Sequence, residues 1–89
     1  MSSEFASISI VGEGPIERYL AGYKLGFIEA LVKYKRNEEM VPEKVSGWGY
    51  FISGHDIGFN AAREQISAMV SSRGKEYVIG YITELFDAK

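Results

Sequence analysis

The chain has 89 residues, a net charge of −2 and 46% apolar side chains. That is enough for one domain with a modest core, and it excludes a disordered chain. Ten basic residues stand against 12 acidic ones, so neither nucleic acid nor an anionic membrane is expected as a partner. Cysteine is absent, which rules out disulfides, thiol chemistry and Cys-based metal sites.

The opening Met1-Ser2-Ser3-Glu4-Phe5 lacks the basic and apolar regions of a secretory leader. No run approaches the roughly 18 apolar residues of a membrane span, and the cytoplasm is the expected location. Residues 5–11, Phe-Ala-Ser-Ile-Ser-Ile-Val, alternate in the manner of a strand. A lone strand cannot satisfy its own backbone groups. Residues 1–14 are therefore expected as a short strand or extended arm laid against a partner subunit, and 15–89 as a single helical domain.

Gly12-Glu13-Gly14-Pro15 is punctuation. It precedes a helix as a nucleotide-binding turn would, but it lacks the third glycine and a following parallel strand. Pro15 suits the first helical position and Glu17 the positive end of the dipole. Ile16, Tyr19, Leu20, Tyr23, Phe27, Ala30, Leu31 and Tyr34 then recur at three- and four-residue steps, which predicts a helix over about 15–36. Leu25, Ile28 and Val32 widen its apolar face, and Lys33, Lys35 and Arg36 close it as a solvated basic end. Residues 37–45 read as a linker. A second periodic run from Trp48 to Val70 predicts a helix over about 48–72, stopped at Gly74. Arg63, Glu64 and Ser67 fall away from its apolar face. A third helix, about 75–87, presents Tyr77, Val78, Tyr81, Ile82 and Leu85.

The chain repeats itself. Tyr19-Leu20-Ala21-Gly22-Tyr23-Lys24-Leu25-Gly26-Phe27 returns 32 residues later as Phe51-Ile52-Ser53-Gly54-His55-Asp56-Ile57-Gly58-Phe59, with a partial third copy at Tyr77–Tyr81 around Gly80. A helix-interior glycine costs about 0.5–1 kcal/mol relative to Ala. Something must offset that, and close backbone approach across small residues four apart is the leading explanation. Alternatively, Ser53 and Asp56 form a capping box, and the second helix starts there. The expected fold class is all-α: three helices, the first two forming an antiparallel hairpin around the Gly-x-x-x-Gly-Phe faces, the third capping them or packing on a second subunit.

Candidate chemistry is thin. His55 is the sole histidine and sits on an apolar face with no carboxylate three or four residues away. A packed or interface role leads. A ligand-gripping or basic role would need a carboxylate such as Asp56 or Glu84 brought near by the fold, and a metal site is disfavoured. The tyrosine pairs Tyr19/Tyr23 and Tyr77/Tyr81, with Trp48, suit a subunit interface or a ring-shaped ligand. No phosphate loop, metalloprotease or calcium motif occurs. The run Gly54-x-x-x-Gly58-Phe59-Asn60-Ala61-Ala62 resembles a helix of small bacteriophage-encoded proteins of unknown role, and that resemblance implies an accessory protein. The expectation is a protein without catalytic residues, cofactor or metal. It docks to a protein partner and self-associates, most simply as a dimer. Tyr19, Gly22, Tyr23, Gly26, Trp48, His55, Tyr77 and Tyr81 are the interface or ligand candidates. The alternative is a small-ligand binder with an aromatic-lined pocket at a subunit boundary.

Overall fold

In a computed structural model, residues 14–47 and 49–87 are described. The strand or arm expected over residues 1–14 falls outside them except for Gly14, and so does Trp48. Three helices make up the fold: α1 (Pro15–Lys35), α2 (Gly49–Arg73) and α3 (Lys75–Asp87). Among the described residues there is no strand. The all-α, three-helix expectation is met.

The ends of the helices follow from local chemistry. Gly14 is extended, Pro15 opens α1 and Glu17 lies in its first turn. At the other end Asn37 takes φ 60°. Its N–H donates to the Tyr34 carbonyl, and the Glu38 N–H donates to that of Lys33 at 2.8 Å. These are the paired bonds of a Schellman motif, with asparagine in the left-handed position. Gly74 fills the same role for α2 at φ 95°, and α3 starts at the next residue. Gly54 lies inside α2, five residues past its start, so the capping-box alternative at Ser53 does not hold.

α1 and α2 meet along their glycines. A Cβ on Gly22 would overlap the carbonyl oxygen of Phe51, and one on Gly26 that of His55. Reciprocally, Gly54 lies against the carbonyl of Tyr19 and Gly58 against that of Tyr23. Each contact maps onto another when the 32-residue offset is exchanged between helices. The seam is therefore a local two-fold between repeats, with the axis along the helices. In each case a glycine hydrogen points at a carbonyl oxygen, a weak Cα–H···O arrangement worth about 0.5–1 kcal/mol. That is the scale of the helix-propensity cost it offsets.

The same pairings correct the direction of the hairpin. Contacts advance along both helices together, from Gly22 with Phe51 to Gly26 with His55 and the backbone of Phe59. α1 and α2 are parallel, not antiparallel. Residues 36–47 make this possible by running back along α1, with Val41 and Glu43 tied to Lys33 and Glu29. Extended chain gains about 3.3 Å per residue against 1.5 Å in a helix, so a return strap needs about half as many residues as the helix it retraces.

Beyond the seam the core broadens in two steps. Ala30, Phe59 and Ala62 form one buried cluster. Leu31 and Ile66 form the next, joined by Val78 and Ile82 of α3. Phe27 and Met40 pack against both. α3 touches both long helices. Gly80, the glycine of the partial third repeat, meets nothing within 4 Å, so α3 packs through Val78 and Ile82 rather than through a glycine strip.

Candidate functional site

Below the seam, one polar cluster joins α1, α2 and the return strap. His55 is 1% exposed. Its Nε2 lies 2.7 Å from Glu29 Oε1. With Glu29 ionised, that nitrogen carries the hydrogen and donates. The other carboxylate oxygen of Glu29 accepts the backbone N–H of Glu43 at 2.7 Å. Lys33, one turn along α1, donates to the Val41 carbonyl at 2.7 Å and to Glu43 Oε2 at 2.9 Å, and lies 3.7 Å from Glu29. The bond to Glu43, with the nearby carboxylate charges, holds the Lys33 ammonium above its usual pKa.

Asp56 and Glu84, the carboxylates considered from sequence, are both exposed, and the partner is Glu29 instead. A search confined to helical neighbours misses Glu29, which is 26 residues away. Nothing in the sequence alone points to Glu29, because the contact depends on the parallel sense of α1 and α2, which the expected antiparallel hairpin reverses. The ring is enclosed by protein on all sides, so the pair pins α2 to α1 and leaves no open approach to its nitrogen. Among the described residues no group of His, Asp and Glu side chains could hold a metal ion.

The other candidates divide. Gly22 and Gly26 are buried within the chain, so the contact expected of them is made to α2 of the same molecule. Tyr19, Tyr23 and Phe27 form an aromatic ladder along α1, with successive centroids 6.2 Å apart. Tyr77 and Tyr81 remain exposed on α3, and the Arg73 guanidinium lies 4.7 Å from the Tyr77 ring centre. Trp48 lies outside the described residues.

Of the exposed apolar side chains, sequence reasoning marked Leu25 and Ile28 as widening the apolar face of α1 but did not gather the rest. Ile16 is 70% exposed, Leu20 56% and Tyr50 59%. Leu20 and Leu25 on α1, and their repeat equivalents Ile52 and Ile57 on α2, are all exposed. Both repeats thus turn glycine inward and large aliphatic groups outward. No helix among the described residues is long and apolar enough to cross a membrane. In comparison with known proteins, the chain matches no family model, no curated protein and no solved structure.

Proposed function

We propose that this is a non-enzymatic docking protein that self-associates and engages a protein partner through the outward aliphatic faces of α1 and α2. The observation that carries the reading is the imbalance between inside and outside. The buried apolar core of the described residues is seven side chains, three of them Ala or Val, while larger groups such as Ile16, Leu20, Tyr50, Ile57 and Leu85 face outward. Exposed apolar groups in such number on a small domain mark an interaction surface. Association is also a common way for a short chain to gain burial. The enclosure of His55 supports a structural rather than catalytic role for it. The resemblance to phage-encoded proteins fits an inhibitor or adaptor, acting in the cytoplasm.

The test is sedimentation of the parent and a Leu20→Glu/Ile57→Glu variant, beside affinity capture with each as bait. The expected result is a parent that is dimeric or recovers a stoichiometric protein partner, and a variant that does neither at unchanged helicity. A parent that stays monomeric at high micromolar concentration and captures nothing stoichiometric overturns the reading.

A further inference from the structure

A second surface, separate from the aliphatic faces, combines an apolar floor with an unneutralised cation. Where the strap leaves α1 and passes α2, an open groove with a volume of about 340 Å³ lies between Tyr34, Met40, Ile66 and Val70. That is within the size range of small-molecule sites, which are typically apolar with a few placed polar groups. Arg63, Ser67 and Ser71 edge it, and four-residue spacing sets them along one side of α2.

Arg63 is held in place by neutral oxygens. It donates to the Met40 carbonyl at 3.2 Å and to Asn60 Oδ1 at 2.8 Å. Among the described residues it makes no ion pair. A guanidinium has five N–H donors in a planar fork, so donors and a full positive charge remain at the rim. Such a fork suits a carboxylate, which it can take in two parallel bonds. The floor, with a flexible methionine on one wall, suits a short apolar tail.

We propose that this groove binds a small amphipathic monocarboxylate, its carboxylate on Arg63 and its tail over Met40, Ile66 and Val70. The proposal does not depend on the docking role above, since it uses other residues and another occupant.

The experiment is an amide NMR titration of the full chain with octanoate, and with octylamine as the same tail bearing the opposite charge. Octanoate is expected to shift Met40, Arg63, Ser67 and Ser71 saturably, and octylamine is not. Arg63→Met, which keeps an apolar stem, should weaken binding tenfold or more. Ser71→Phe, a change on an exposed position that fills the groove, should also block it while Arg63 stays. Equal binding of the amine, an unchanged affinity in both variants, or shifts confined to other residues would overturn the assignment. So would contacts from residues 1–13 to Ser67 and Ser71, or shifts there on simple dilution, since the groove would then hold the chain's own arm or a second copy.

Discussion

At the level of single residues, glycines of one sequence pattern divide by what lies over them. Gly26 is pressed against the His55 carbonyl, whereas Gly80 faces open space in the middle of α3. Alanine is the better helix former by about 0.8–1 kcal/mol. Gly80→Ala should therefore stabilise by up to about 1 kcal/mol in denaturant unfolding. Gly26→Ala should instead destabilise by about 1–3 kcal/mol, the usual cost of overpacking, because the obstacle is backbone and cannot swing aside. Equal effects at the two positions would remove the seam as an explanation. The buried polar pair makes a second prediction. His55→Ala should cost about 2–4 kcal/mol through the lost packing and the stranded carboxylate. Glu29→Ala should cost about 1–3 kcal/mol, because it orphans the buried imidazole. A double-mutant cycle should return a coupling of about 0.5–3 kcal/mol. Additive losses would mean the two side chains do not act together.

At the level of elements, the three helices, the stop at Gly74 and the glycine seam were all legible in the sequence. Apolar spacing and turn chemistry are local properties. The relative direction of α1 and α2 was not. A strip of hydrogens has no polarity, so Gly-x-x-x-Gly looks alike from either end and accepts a neighbour in either sense. What decides direction is the strap, and its anchors are ordinary surface residues by sequence. Lys33 reads as a helix-terminal charge and Glu43 as linker acidity, until the fold brings them within 2.9 Å. The clasp should show itself in alkali. A pKa raised in the folded state contributes stability below the unfolded value, here the ordinary 10.5, and loses it as pH rises through the folded value. Tyrosines ionise near the same range, so the comparison is with Lys33→Met. The stability gap between parent and variant should stay constant from about pH 6 to 9 and close at higher pH. A gap that closes in mildly acid solution instead would point to a different group.

At the level of the whole molecule, the described residues span 45 × 28 × 19 Å, an elongated body with little interior for its length. Its aliphatic side chains are spread over both long helices, and this is why paired charges on α1 and α2 are the proposed probe of association. Part of that surface was legible, since Leu25 and Ile28 widen the apolar face of α1 in the sequence, but the remaining outward leucines and isoleucines share the helical runs with the inward ones. Only the glycine contacts reveal which side is in.

The return strap has a further consequence. Two parallel rods in one chain can be joined only by a connection that travels the full length of the first. If residues 37–47 were replaced by three, α2 could keep a parallel α1 only in another molecule. Such a chain should exchange its second rod with a neighbour and emerge as an interlocked pair. Scattering on the shortened protein would show twice the mass with the helical content kept, whereas a folded monomer would mean that the seam closes equally well in the opposite sense.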